Sequence, residues 1–243
     1  MLEIKELTCK YDEKSILENI SLHVKRHLSI LGSNGSGKST MAKALCGLLK
    51  YDGDICIDGK NIKNIRPKEL AKLITYIPTK LEAYDRYIDV FDFVLLGRFA
   101  YKENFLDYKE SDYKEVEKNL KLLSCEHLKN HTLGSLSSGE QQLVLIAQAL
   151  TQKSKIIIFD EPSAKLDPYN SKIIAKHIKK LKKSVDIILI THDLHLASYI
   201  QNPVLFLSDK RAHFYEQREQ FFNEDVLKEL YGVDFDNLAV KYE

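Results

Sequence analysis

Nine consecutive residues, Gly32, Ser33, Asn34, Gly35, Ser36, Gly37, Lys38, Ser39 and Thr40, constrain this chain more than any others. They follow the pattern G-x-x-x-x-G-K-[ST] of a phosphate-cradling loop. Upstream, Leu28-Ser29-Ile30-Leu31 is short and apolar enough for a buried strand. Downstream, Met41-Ala42-Lys43-Ala44-Leu45-Cys46 reads as a helix. Glycines at 32, 35 and 37 let the backbone adopt positive φ and approach a ligand closely. Successive N–H groups then converge as an anion nest at the positive end of the following helix. By that chemistry Lys38 reaches the β- and γ-phosphates, and the Ser39 hydroxyl is a ligand for Mg²⁺.

The 243 residues suffice for a sizeable core, and the net charge of +1 gives no electrostatic case for nucleic acid. Cys9, Cys46, Cys56 and Cys125 lack zinc spacing and read as small hydrophobes in a reducing compartment. Glu3, Lys5 and Glu6 interrupt any signal-peptide pattern at the start. No apolar run approaches the roughly 20 residues of a membrane helix, so a soluble chain is expected, with any membrane role supplied by a partner.

Residues 1–24 alternate as two half-buried strands around a polar turn, Tyr11-Asp12-Glu13-Lys14. Residues 53–58 add a strand, with a hairpin-like turn at Gly59-Lys60, so an N-terminal antiparallel layer is expected. Lys25-Arg26-His27 must turn the chain without glycine, and the sequence offers no reason for it. A helix is expected over 67–73 and a strand over 74–77, stopped by Pro78. Residues 79–87 read as irregular, and helical spacing dominates from Val90 to Lys129. A helix is expected over Gln141–Leu150, and a fully apolar strand over Ile156–Phe159 that ends in Asp160-Glu161-Pro162. Asp167 and Pro168 form an N-cap and first-turn pair for a helix whose lysines read as a solvated face. A second apolar strand, Val185–Ile190, ends in Thr191-His192-Asp193. Residues 203–207 are expected to be the last strand, and 224–231 a short helix.

Taken in order, Tyr11, the phosphate loop, Leu136-Ser137-Ser138-Gly139-Glu140, Asp160-Glu161, Asp167 and His192 resemble the nucleotide-binding subunit of ABC transporters over nearly the whole chain. The resemblance implies an α/β P-loop NTPase core, an N-terminal antiparallel β layer and an α-helical subdomain over about 79–150, in one domain spanning 1–243. It implies ATP and Mg²⁺ as cofactors. Asp160 would hold the metal through water, Glu161 would be the general base, and His192 would contact the γ-phosphate and keep Glu161 in line. Read alone, Asp160-Glu161 could be a strand-end turn and His192 a structural histidine. Tyr11 would stack on adenine, although thirteen tyrosines are present. His192 and His195 sit at i, i+3, but no thiol or carboxylate cluster supports a metal site there.

The family's Leu-Ser-Gly-Gly-Gln is Leu-Ser-Ser-Gly-Glu here, so Ser138 and Glu140 depart from it. In the family this segment of one subunit closes over the γ-phosphate held by the other. Ser137 and the Ser138 and Gly139 amides would supply donors to it, with Asp167 at the dimer seam. A second ATP-binding subunit, a homodimer in the simplest case, is therefore expected. The stretch Val90–Tyr101 and the segments Thr191–Ala197 and Leu230–Val233 look like the import branch serving iron–siderophore, haem and cobalamin permeases. That branch implies an integral membrane permease partner, a solute-binding protein indirectly, no nucleic acid, and a peripheral place on the cytoplasmic face of the cell membrane. Residues 79–101 would line the groove for the permease, with Tyr84, Tyr87, Phe91 and Phe99 either docking aromatics or ordinary core. A soluble ATPase of iron–sulfur assembly type and a poorly hydrolysing regulator are the competing readings.

The family's Tyr-x-Pro-Gln, whose Gln touches Mg²⁺, is Tyr76-Ile77-Pro78-Thr79 here. Thr79 is shorter, though its hydroxyl can bind metal-bound water. Weakened metal coordination and a modest or partner-dependent ATPase rate follow. Thr79→Gln is expected to raise the rate and change its Mg²⁺ dependence; a titration of rate against Mg²⁺ that superimposes on wild type would contradict this.

Overall fold

The structure is a computed structural model that describes residues 1–79, 86–103, 107–232 and 242. Strands β1 (Leu2–Tyr11) and β2 (Lys14–Val24) form an antiparallel pair, closed by the turn expected at Tyr11–Lys14. β3 (Leu28–Gly32) leads through the phosphate loop into α1 (Lys38–Leu45). β4 (Tyr51–Ile57) pairs antiparallel with β1, and a two-residue β5 (Lys60–Asn61) folds back on β4. Asp58 and Gly59 both have positive φ, 52° and 77°, the twist that a two-residue hairpin requires. These strands make a four-stranded sheet in the order β2-β1-β4-β5.

The expected helix at 67–73 is shorter, α2 (Pro67–Leu70), with Pro67 at its first turn. β6 (Ile74–Ile77) follows. Next come α3 (Val90–Leu95), a 3-10 turn over Leu96–Tyr101, α4 (Glu110–Leu122) and α5 (Ser138–Thr151). The remainder runs β7 (Ile156–Asp160), α6 (Pro168–Leu181), β8 (Asp186–Ile190), α7 (Leu194–Ile200), β9 (Val204–Ser208), β10 (Arg211–Tyr215), α8 (Arg218–Phe221) and α9 (Glu224–Tyr231). The second sheet has the order β10-β9-β3-β8-β7-β6, parallel from β9 to β6, with β10 antiparallel at the edge.

The parallel strands are apolar on both faces because both faces are covered. Ile157, Phe159, Ile187 and Leu189 enter a core with the helices, including Val94, Val116, Ile146 and Ile178. Ile156, Ile158, Ile188 and Ile190 enter the opposite core with α1 and the antiparallel sheet, including Leu7, Leu17, Met41 and Ile55. The period of two thus sorts each strand between the layers.

The sequence expectation ends the strands at 203–207; the structure adds β10. Its joint with β9 is Asp209-Lys210, with φ of 48° and 66°. The turn is of the hairpin kind, but it lacks the Asn-Gly or Asp-Gly signal. The edge strand itself is mostly exposed and shows no apolar alternation. Lys210 also ties the two sheets, since Glu18 N–H donates to its carbonyl at 2.8 Å and its ammonium pairs with Glu18 at 3.0 Å.

Around α5 the packing is close. A Cβ on Gly97 would lie 2.5 Å from the Gln148 carbonyl oxygen, so only glycine lets the 96–101 turn reach the last turn of α5. Next to it, Arg98 is 8% exposed and donates Nε to Asp112 Oδ1 at 2.7 Å and Nη1 to the Thr151 carbonyl at 3.0 Å. Breaking such a buried pair by removing one partner costs about 3–5 kcal/mol.

The glycine-free turn Lys25-Arg26-His27 has a structural reason. Arg26 Nε pairs with Asp186 Oδ1 at 2.9 Å, and His27 Nδ1 accepts the Ile187 N–H at 3.1 Å. The turn is pinned to the start of β8. Burial, with Lys182 and Arg26 nearby, pulls the His27 pKa down to about 4. The fold therefore holds His27 neutral, as an Nδ1 acceptor must be. Its stabilisation is complete above the unfolded histidine value of about 6.5 and is lost as pH falls from there toward 4. His27→Asn keeps an acceptor without the titration. Between pH 7 and pH 5 the urea midpoint of wild type is expected to fall more than that of the variant; equal falls would refute the assignment.

Candidate nucleotide site

The β6-β7-β8 register brings three strand ends together. Ile77 pairs with Phe159, and Asp160 with Ile190. The phosphate loop lies beside them, because β3 is the other neighbour of β8. Gly32, Gly35 and Gly37 have φ of 149°, 82° and 98°. Gly37 is the N-cap of α1, and its carbonyl accepts the Met41 N–H at 2.9 Å. Ser33, Asn34, Gly35 and Ser39 are exposed, Ser36 is half-buried, and Thr40 is buried. Lys38 is 7% exposed and donates to the carbonyls of Gly32 and Ser33, both at 2.9 Å. Burial lowers its pKa, against a pull upward from Glu161 and Asp160.

Asp160 closes β7 at 2% exposure. Tyr76 donates its hydroxyl to Asp160 Oδ2 at 2.7 Å, whereas Oδ1 is buried with no hydrogen-bond partner. An unpartnered carboxylate oxygen beside a phosphate loop fits a hydrated divalent cation. Ser39 at the start of α1 is exposed and Thr79 after β6 is half-buried. Among the described residues no group of three or more His, Cys, Asp or Glu gathers as a metal cluster.

Glu161 follows in the left-handed region, at φ 51°. That conformation is costly for a residue with a side chain and persists where the surroundings fix it. Here its N–H donates to the Ile190 carbonyl at 2.8 Å. Its Oε1 lies 2.7 Å from His192 Nδ1, and its Oε2 accepts the buried Thr191 hydroxyl at 3.1 Å. Glu161 and His192 thus face each other across the ends of β7 and β8. Thr191 and Tyr76 were visible in the sequence, one directly before His192 and one before Ile77-Pro78, but their roles as anchors depend on the strand register. Tyr11 ends β1 at 43% exposure, an aromatic face open to solvent.

A second group forms at the start of α5. Ser137 is its N-cap, and the helix begins at Ser138 rather than Gln141. Glu140 Oε2 accepts the Ser137 N–H at 2.8 Å and the Ser137 hydroxyl at 2.7 Å, a capping box. Those two bonds lower the Glu140 pKa. Glu140, where the family pattern has Gln, therefore serves the helix start. Gly139 abuts Asn170, where a Cβ would come within 2.6 Å of Cγ. Asn170 in turn donates Nδ2 to Asp167 Oδ2 at 2.5 Å, and Asp167 caps α6 through the Tyr169 and Asn170 N–H groups at 2.9 and 3.0 Å. So Ser137–Glu140 and Asp167 lie together, and no hydrogen bond or ion pair among the described residues joins them to the phosphate loop.

The family model described as ABC transporter matches residues 17–164. A probable iron chelatin transport ATP-binding protein of Helicobacter pylori is 37% identical over 217 residues, covering 87% of this chain and 85% of that one. A metal-chelate type ABC transporter solved in an inward-facing conformation superimposes with a TM-score of 0.83 at 27% identity, over 96% of this chain and 89% of that chain. A bacterial ABC transporter cassette solved as a dimer gives 0.76 at 28% identity, over 89% and 98%.

The two loop glycines differ in kind. A Cβ on Gly37 would lie 2.6 Å from Leu17 Cδ2 as well as at positive φ; one on Gly35 meets nothing within 4 Å. Gly35→Ala is expected to cost about 1 kcal/mol of backbone strain, and Gly37→Ala measurably more, with a larger loss of affinity for a fluorescent ATP analogue. Urea denaturation and titration of both variants check the order.

Proposed function

As this chain belongs to the ABC transporter family, an ATP-binding subunit whose ATPase activity is coupled to transport, we propose that it powers uptake of an iron–siderophore, haem or cobalamin-like solute as one of two identical subunits on the cytoplasmic face of a membrane. The observation that carries the catalytic part is the Glu161–His192 contact at 2.7 Å at the end of the strand that also bears Asp160. Glu161 is the general base that takes the proton of the attacking water. His192 holds that carboxylate and reaches the γ-phosphate. Lys38 exchanges its two carbonyl partners for phosphate oxygens, and the N–H groups of residues 33–40 cradle the rest. Tyr11 offers its exposed ring to adenine. Ser39, Asp160 and Thr79 would hold Mg²⁺, which would neutralise charge on the β- and γ-phosphates.

The dimeric form of a similar bacterial cassette supports a site completed by a second copy, toward which Ser137–Glu140 and Asp167 would turn. The positive end of α5 and its free Ser138 and Gly139 amides then meet the partner's nucleotide. ATP joins the pair and hydrolysis releases it, a two-state element biased by one ligand.

The permease part rests on a groove between the helical region, about 79–150, and the core. Two clefts of about 1030 and 750 Å³ share Pro67, Ala71 and Gln152. Leu96 and Phe99 border the smaller, at 45% and 66% exposure, and Leu48 the larger, at 67%. Tyr87 is 87% exposed, whereas Phe91 is half-buried and stacks on Tyr113 at 6.1 Å. Tyr84 lies outside the described residues. Exposed apolar side chains bordering these clefts suit an amphipathic helix from a membrane partner. Among the described residues no helix is long and apolar enough to cross a membrane itself.

Glu161→Gln is expected to slow hydrolysis by roughly 10²- to 10⁴-fold while retaining ATP. Gel filtration with Mg²⁺ and ATP should then give a dimer. A variant that binds ATP and stays monomeric favours the regulator. Capture of a polytopic membrane protein with the tagged chain supports import, and capture of a soluble scaffold in its place supports iron–sulfur assembly.

A further inference from the structure

We propose that Tyr242 is a positioning residue for hydrolysis, its hydroxyl fixing Asp193 beside His192 and, through Thr191, the carboxylate of Glu161. The proposal rests on the reading of Glu161 as the base. Tyr242 is 1% exposed, with its ring 5.9 Å from that of Tyr199 on α7. Its hydroxyl donates to Asp193 Oδ2 at 2.6 Å. Asp193 follows His192 directly, in the loop after β8. The phenol therefore holds the loop that carries His192.

The bond to Asp193 continues to the acid itself. Asp193 Oδ1 caps α7 through the His195 and Leu196 N–H groups at 2.9 and 3.1 Å, which fixes the carboxylate. The Asp193 N–H donates to Thr191 Oγ1 at 3.0 Å, and Thr191 Oγ1–H donates to Glu161 Oε2 at 3.1 Å. Glu161 Oε1 then meets His192. The path Tyr242–Asp193–Thr191–Glu161 is short, part-buried, and charge-assisted where the phenol meets the carboxylate. Glu161 has a left-handed backbone and His192 is more than half exposed, so neither is held by packing alone. A rotation of either loop swings Glu161 away from the water it must deprotonate, and small misplacements of reacting groups are costly in rate.

Tyr242→Phe keeps the ring and removes only the hydroxyl. In the full chain it is expected to lower kcat by about fivefold or more, with KM and affinity for a fluorescent ATP analogue unchanged and the melting temperature close to wild type. Asp193→Asn, which retains an oxygen to cap α7, should act in the same direction. Wild-type kcat in the phenylalanine variant, or a drop confined to melting temperature, overturns the proposal. So does wild-type turnover in Asp193→Asn, should the phenylalanine variant fail to fold. Glu161→Gln, assayed in parallel, separates the two readings. If it stalls while Tyr242→Phe turns over normally, only the role of Tyr242 falls. If Glu161→Gln itself turns over normally, the base assignment falls and takes this proposal with it.

Discussion

Two neighbouring carboxylates at the end of one buried strand, Asp160 and Glu161, are held by different neighbours, and the site follows from that division. Successive side chains of a strand point to opposite faces, so adjacent residues cannot share one environment. Asp160 is 2% exposed and takes the Tyr76 hydroxyl from β6. Glu161 leaves the strand at positive φ and takes Thr191 and His192 from the end of β8. One carboxylate is thus tied to the strand on each side of β7. The sheet order β8-β7-β6 is what makes both attachments possible. A parallel sheet places equivalent strand ends side by side, and α/β sites collect there for that reason.

The phosphate loop was legible because its chemistry is local. Glycine spacing, the following lysine and the flanking strand and helix all lie within about one supersecondary unit, a span that patterning resolves well. The sheet was legible for a related reason, since runs such as Ile156–Phe159 can only be covered on both faces. The N-cap at Asp167 also followed from residue type, and the structure gives it two N–H groups. What the sequence hid was contact between distant segments. Nothing near Lys25-Arg26-His27 announces that Asp186 and Ile187 are its partners. Tyr242 looks like any of thirteen tyrosines until the fold sets it against Asp193. The Asp209-Lys210 hairpin hid because its residues carry none of the usual turn preference, although the backbone still adopts positive φ at both. The start of α5 was placed three residues late because Ser138 and Gly139 are weak helix formers; the Ser137–Glu140 box outweighs their propensity.

The helical region shares a broad apolar core with the sheet, and specific polar contacts and one close approach fix its edge around α5. Gln152 donates Nε2 to the Ala71 carbonyl at 2.6 Å. Gly97 presses the 96–101 turn onto α5, and Arg98 is held there by Asp112 and Thr151. The wall that bears the exposed Phe99 is therefore built on the last turn of the same helix whose first turn carries Ser137–Glu140. A helix transmits displacement along its axis with little loss, because its backbone bonds are internal. The groove and the N-terminus of α5 are in this sense two ends of one rigid part.

The ammonium of Lys38 has already left water, and two peptide oxygens of its own loop stand in for the solvent it gave up. A ligand that enters must draw it off those oxygens rather than out of bulk hydration. A neutral sugar offers no more than a carbonyl pair does, and a lone carboxylate offers a single charge. A chain of phosphates offers several full negative charges, enough to outcompete both carbonyls at once. The resting contacts of Lys38 thus set a cost that a ligand must offset with its own charge, before the base or the metal enters.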